Sequence, residues 1–221
     1  LHRKGGIVLI TGKFLEELCN LNGVSGYESK LNNLIIESFK KYTDKIEMDK
    51  LGNIIAIKEG NAKEDDKKIK IMIAGHMDEI GLIVTKIEDN GFLRFTNIGG
   101  IDPRTLLGQE VIVHGKEDIF GVIGAKPPHL QEPSERNKAV KKDDMSIDVG
   151  FEKKEVEKII SIGNYITIRR SLNNLQGRMV TSKALDDRAG IASMYECAKE
   201  LCKINHEADV YFVSTVQEEV G

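Results

Sequence analysis

Long apolar runs are absent from this sequence, and their absence limits what the chain can do. The longest runs lie near residues 69–75 and 210–216, far short of the roughly 20 residues that a membrane-spanning helix needs. Charge of one sign is missing as well, because 32 basic residues are mixed with 35 acidic residues to give a formal net charge of −3. We therefore expect neither a membrane nor a nucleic-acid partner.

Cysteine is scarce too, with three residues in a chain of 221. Cys19, Cys197 and Cys202 have neither the spacing of a metal site nor that of a redox pair. We expect them to be small buried side chains in a reducing compartment. The apolar stretch after Arg3 is too short for a signal peptide, so the predicted location is cytoplasmic.

Two patterns of apolar spacing alternate along the chain. Apolar residues three and four positions apart predict helices within residues 11–42 and 189–203. Short β-branched runs predict buried strands at 69–74 and 209–216. Residues 80–175 instead show short strands and turns. We therefore expect an α/β domain that is interrupted by a β-rich insert.

Polar side chains follow the ends of both predicted buried strands. His76 and Asp78 come after the first strand, Glu218 and Glu219 after the second, and Asp186 lies in a loop before a helix. In an open α/β sheet, ligands gather beyond the carboxyl ends of the strands. One imidazole and several carboxylates suit a divalent metal such as zinc. Taken singly, each group also fits a plainer interpretation: a hydrogen-bonded loop pair, a helix cap or a solvated acidic pair.

Three runs of sequence resemble the metal motifs of the TET-type dinuclear metallo-aminopeptidase family, whose members are also called glutamyl aminopeptidases or "cellulase M". The runs are AGHMDEIG at 74–81, KALDDRAG at 183–190 and QEEVG at 217–221. Smaller blocks match in order, among them GVSGYE at 23–28 and DKLGN at 49–53. The resemblance implies an α/β fold with a doubly wound, zinc-exopeptidase-like sheet domain, incomplete here, and a barrel-like insert.

The same resemblance implies a role for each polar residue. His76, Asp186 and Glu219 would bind two divalent metal ions, zinc or cobalt, with Asp186 as the bridge and the peptide bond that follows it cis. Glu218 would be the general base, and Asp78 would fix a metal ligand by hydrogen bonding. The implied reaction is the removal of N-terminal residues from peptides by a water molecule that the two metals activate.

The resemblance also divides the chain into parts. Residues 11–79 are expected to be the first part of the catalytic domain, and residues 1–10, which precede the resemblance, are expected to be a leader or scar. Residues 80–175 are the inserted domain, which relatives use for dimerisation, and residues 176–221 are the second part of the catalytic domain. We therefore expect a homo-oligomer that forms through the insert.

Relatives continue beyond the position of Gly221 with a further acidic ligand and a histidine ligand. We therefore expect this chain alone to be inactive, with its last strand, 209–216, lacking neighbours. A second interpretation is a catalytically dead, truncated subunit that acts only in assembly. A third is a carbohydrate hydrolase, but glycosidases use two facing carboxylates and no metal, so the metal motifs argue against it. His114, His129 and His206 are not assigned to the metal site.

Overall fold

The computed structural model describes residues 9–62, 68–127, 138–177 and 179–221. The described residues form two compact units: one comprises the chain up to Glu79 together with Ser171–Glu219, and the other comprises Ile80–Arg170. His129 and the first part of the predicted leader lie outside the described residues.

The elements follow one another in an order that changes character at Glu79 and again at Ser171. In chain order they are α1 (Leu9–Asn20), α2 (Ser29–Phe39), β1 (Lys45–Met48), β2 (Ile54–Lys58), β3 (Lys70–His76), β4 (Gly81–Ile87), β5 (Leu93–Ile98), β6 (Glu110–His114), β7 (Asp118–Ala125), β8 (Met145–Asp148), α3 (Lys153–Ile159), β9 (Tyr165–Ile168), β10 (Asn173–Asn174), β11 (Val180–Thr181), α4 (Leu185–Leu201) and β12 (Asp209–Thr215). Helix α1 begins at Leu9, two residues before the predicted domain boundary. No helix of the described residues is long and apolar enough to cross a membrane.

The first unit contains a mixed sheet with the strand order β1-β2-β12-β3. Strand β12 pairs antiparallel with β2 and parallel with β3. The prediction that this strand lacks neighbours is therefore wrong, because its apolar residues are paired on both sides. Strand β3 lies at one edge of the sheet and its first five residues are exposed, so the prediction that it is buried is wrong as well. Within the described residues, β12 is its sheet neighbour.

The helices of this unit each bury one apolar face. Leu31, Ile35 and Phe39 lie one turn apart on α2 and are buried, as the spacing of four residues requires. They share a core with residues of α1 and α4 and with alternate residues of the sheet, including Ile54 and Phe212. The predicted α/β class is confirmed.

The second unit is a closed barrel with the strand order β4-β5-β8-β7-β6-β9. Alternate residues point inward, as at Val111 and Val113 of β6, which are fully buried. Gly91 turns the β4–β5 hairpin with φ of 87°, a conformation that favours glycine. Helix α3 adds Val156 to the barrel core. The barrel-like insert expected from the sequence is confirmed.

Candidate metal centre

The parallel pairing of β3 and β12 brings the ends of the two strands side by side. Thr215 is the pairing partner of His76, and the Met77 N–H donates to the Thr215 carbonyl at 2.8 Å. The chain then turns through Gln217, whose φ of 58° is left-handed, into a 3-10 turn at Glu218–Val220. His76 and the glutamate pair therefore share one edge of the sheet.

Four of the predicted site residues form one cluster around the His76 imidazole. Its Nε2 lies 3.3 Å from Asp186 Oδ1 and 3.8 Å from Glu218 Oε2. Potential ligand atoms of His76, Glu218 and Glu219 all lie within 4.8 Å of one another. Asp186 reaches the imidazole from the start of α4, and its side chain is 93% exposed. Three segments that are distant in the sequence thus supply one imidazole and three carboxylates.

The fifth predicted residue, Asp78, holds the backbone that carries two members of this cluster. Its side chain has no exposed surface, and its carboxylate accepts the backbone N–H groups of Glu218 and Glu219, each at 3.1 Å. His76 Nδ1 lies 3.2 Å from the Asp78 carbonyl oxygen. A proton on Nδ1 satisfies that acceptor and leaves the Nε2 lone pair directed at the acidic residues.

Asp187 fixes the position from which Asp186 projects. The peptide bond between the two residues is cis, as the resemblance implies. Asp187 Oδ1 accepts the Gly190 N–H at 3.0 Å, so this residue caps the helix. A Cβ at Gly75 would lie only 2.7 Å from Asp187 Oδ2. Glycine at this point of β3 therefore leaves room for the capping carboxylate.

The charges of the cluster suit a cation. Burial alone would lower the pKa of His76, but the carboxylates of Asp78, Asp186 and Glu218 outweigh it and raise that pKa. Burial raises the pKa of Glu219; His76 opposes this, and the nearby acidic groups add to it. Negative charge is thus unfavourable at Glu219 without a positive partner, and nitrogen and oxygen donors are those that zinc and related divalent ions bind.

Comparison with known proteins agrees with the sequence motifs. Residues 52–221 match the family model described as M42 glutamyl aminopeptidase. The chain belongs to the M42 family. It is 42% identical over 208 residues to a putative aminopeptidase of Acetivibrio thermocellus, a match that covers 94% of this chain and 58% of the relative. The resemblance inferred from the motifs is confirmed.

Solved structures of similar proteins give the same result. The aminopeptidase APDkam598 of the archaeon Desulfurococcus kamchatkensis matches with a TM-score of 0.86 and 41% identity over 96% of this chain and 58% of that one. The TET1 peptidase of Pyrococcus horikoshii, described as able to assemble into a tetrahedron or a large octahedral shell, matches with a TM-score of 0.82 and 36% identity over 96% of this chain and 62% of that one. The M42 chain thus spans less than two thirds of the length of each of these proteins.

A buried charge cluster beside the site of this M42 chain was not predicted. Lys183 Nζ lies 2.6 and 2.8 Å from the two carboxylate oxygens of Glu79, and the Arg188 guanidinium lies 3.4 Å from the same carboxylate. All three residues belong to the quoted motifs, and Glu79 and Arg188 directly follow Asp78 and Asp187. The sequence signal for this cluster was the presence of charged residues next to candidate site residues. The sequence does not show, however, which groups those charged residues contact.

The remaining histidines are engaged elsewhere or lie outside the described residues. His114 Nδ1 lies 2.7 Å from Asp118 Oδ1, and its Nε2 lies 2.9 Å from Thr167 Oγ1. His206 Nδ1 lies 2.8 Å from the Ala208 carbonyl. His129 is not among the described residues.

Proposed function

We propose that the complete protein is a metal-dependent aminopeptidase that removes N-terminal residues from peptides. The observation that carries this proposal is the cluster of His76, Asp186, Glu218 and Glu219 at the carboxyl edge of the sheet, in a chain of the M42 family. The names of the similar proteins support it, because they are aminopeptidases or peptidases.

His76, Asp186 and Glu219 are the residues that would hold two divalent ions, zinc or cobalt. Bound ions of this kind supply Lewis acidity and lower the pKa of water. Glu218, with 60% of its side chain exposed, is the group that accepts a proton and passes it to the leaving amine. Asp78 holds the backbone of both glutamates.

The 221-residue chain by itself is expected to be inactive. Among the described residues, the cluster offers one imidazole and three carboxylates. These are too few to complete the shells of two ions, since a structural or catalytic zinc takes about four ligands. The alternative, a dead subunit that acts only in assembly, makes the opposite prediction for the complete protein, namely that it also lacks activity.

A homo-oligomer formed through the barrel is the second part of the proposal. Phe120 and Val122 of β7 are exposed on the barrel, by 47% and 38%, and the P. horikoshii relative is described as an assembly. Sedimentation of the complete protein tests this, and a monomer at micromolar concentration would contradict it. The cytoplasmic location and the absence of nucleic-acid and membrane partners stay predictions.

The decisive variants are Asp186→Ala and Glu218→Gln in the protein expressed from its complete gene. Asp186→Ala should lose both metals and all activity, whereas Glu218→Gln should keep metal and lose turnover by about 10²–10⁴-fold. Asp89→Ala is the matched control, because its carboxylate is exposed and pairs with Lys153. Released amino acids and metal content are measured together.

Substrate class is tested in the same assay with free and N-acetylated peptides. A free amine should be required, because an exopeptidase of this kind binds the N-terminus near the acidic groups. Equal rates on blocked and free peptides, or activity on β-glucans with none on peptides, would refute the assignment.

A further inference from the structure

Residues 23–28 (GVSGYE), which we call the GVSGYE loop, connect α1 to α2 and carry none of the predicted ligands. Val24 forms a parallel bridge with Glu79. The Glu79 N–H donates to the Gly23 carbonyl, and the Gly23 N–H donates to Glu79 Oε1, both at 3.0 Å. Arg188 lies 3.4 Å from the same carbonyl. The loop thus contacts both the segment after β3 and the first turns of α4.

Ser25 extends the contacts of the loop to the carboxylate of Asp78. Its hydroxyl donates to Asp78 Oδ2 at 2.6 Å, and both residues are buried. The same oxygen accepts the Glu219 N–H, while Oδ1 accepts the Glu218 N–H. Without the Ser25 hydroxyl, a buried carboxylate would lose its shortest hydrogen bond and its orientation would be less fixed.

Glu28 makes the corresponding contact with the segment after β12. Its side chain is buried, and Oε1 accepts the N–H groups of Gly26 at 2.9 Å and Gln217 at 3.1 Å. Gln217 is left-handed, with φ of 58°, and this conformation costs energy for a residue other than glycine. The hydrogen bond from its N–H helps to hold the turn that directs Glu218 and Glu219 toward His76.

We propose that the GVSGYE loop positions the metal ligands, with Ser25 acting through Asp78 and Glu28 acting through Gln217. This inference rests on the proposed function, since it assigns to the loop the geometry of that same site. Ser25 and Glu28 are positioning residues, because their contacts end on Asp78 and on backbone groups next to the ligands.

Positioning differs from packing in what a substitution changes. If the loop only packed against the rest of the fold, a substitution in it would lower the stability of the fold and the metal affinity together. Hydrogen bonds that orient the supports of metal ligands change metal affinity about 10- to 100-fold while the fold persists. Because Ser25 is one contact removed from the ligands, we expect an effect at the lower end of that range.

The test is the dissociation constant of zinc, measured by competition with a chromogenic chelator in the protein expressed from its complete gene. Ser25→Ala should raise the constant about 10-fold and alter the visible absorption spectrum of the cobalt-loaded protein. Ser25→Thr keeps a hydroxyl and should restore both. Ser193→Ala is the control, because that hydroxyl is exposed and donates within α4 to the Ala189 carbonyl.

A second pair of variants keeps the test decisive if Ser25→Ala does not fold. Glu28→Gln retains a side-chain oxygen that accepts both N–H groups and should bind zinc like the wild type. Glu28→Ala removes that acceptor and should weaken zinc binding. Melting temperatures of all variants separate a loss of affinity from a loss of fold.

The outcomes distinguish this inference from the proposed function. A wild-type protein that binds no zinc or cobalt overturns the proposed function. A wild type that binds zinc tightly, with unchanged affinity and cobalt spectra in Ser25→Ala and Glu28→Ala, overturns the role of the loop alone. Equal losses of affinity and melting temperature in Ser25→Ala and Ser25→Thr also overturn it, because they indicate packing.

Discussion

Arg188 shows how a single residue ties distant parts of the chain together. It has no exposed surface, and its guanidinium donates to the carbonyl oxygens of Leu18 at 2.7 Å, Leu21 at 2.6 Å and Met77 at 2.9 Å. Burial lowers the pKa of Arg188, and the Glu79 carboxylate opposes that shift. The end of α1, the end of β3 and the start of α4 therefore meet at one buried cation, directly beside the candidate site.

Replacing Arg188 by methionine should strongly destabilise the protein. The change would leave the buried Glu79 carboxylate with one cation fewer and would remove the guanidinium donor from the carbonyl groups of Leu18, Leu21 and Met77. Removing one partner of a buried ion pair costs about 3–5 kcal/mol. Arg169→Met is the control, because Arg169 and its partner Glu110 are both about half exposed and surface pairs contribute about 0–1 kcal/mol. Urea unfolding measures both; equal midpoints for the two variants would contradict the account.

The sequence predicted which residues gather at the site better than it predicted what holds them there. His76, Asp186, Glu218 and Glu219 could be grouped because they follow strand ends or precede a helix, and such ends share a sheet edge. Arg188 and its carbonyl partner Leu18 are 170 positions apart. No local pattern relates a side chain to a carbonyl group at that distance, so the supporting contacts required the structure.

At the scale of elements, β3 was predicted as a strand but not with its observed exposure. Its run of apolar residues is typical of a strand that is buried on both faces. In the structure Ile71, Met72 and Ile73 are 45%, 71% and 38% exposed, and among the described residues β3 pairs with β12 on one side. Composition indicates a preference for burial, but the neighbours that would satisfy it are set by the topology.

The exposed edge of β3 should make the 221-residue chain prone to aggregation. Unpaired backbone groups beside apolar side chains recruit other strands. Met72→Lys, at the most exposed apolar position of β3, should therefore reduce aggregation, measured by light scattering after size-exclusion chromatography. Ile162→Lys is a suitable control, because Ile162 is 67% exposed outside any strand. If both variants aggregate like the wild type, the edge is not the cause.

At the scale of the whole molecule, a change in hydrophobic period predicts an insertion in the chain. Alternation with a period of two replaces helical spacing near residue 80, and the compact second unit is Ile80–Arg170. Its first and last strands, β4 and β9, are paired neighbours, with Leu82 opposite Ile166. The chain thus enters and leaves the barrel at adjacent points, as an inserted domain requires.

The barrel should therefore fold by itself. It has a core of its own, which includes Leu82, Leu93 and Ile147, all fully buried, and its sheet is closed, so it has no free edge. Residues 80–170 expressed alone should show strand-type circular dichroism and a cooperative urea transition. A broad, non-cooperative transition would show that the barrel depends on the rest of the chain.

Titration of the metal-free complete protein with cobalt or zinc, while the release of N-terminal residues from a peptide is followed, tests the central claim most directly. Removal of the metal by a chelator should abolish activity, because His76, Asp186 and Glu219 are expected to hold the ions that the reaction requires. Activity should return with added metal and level off near two ions per chain. Activity that survives complete removal of metal would contradict the account.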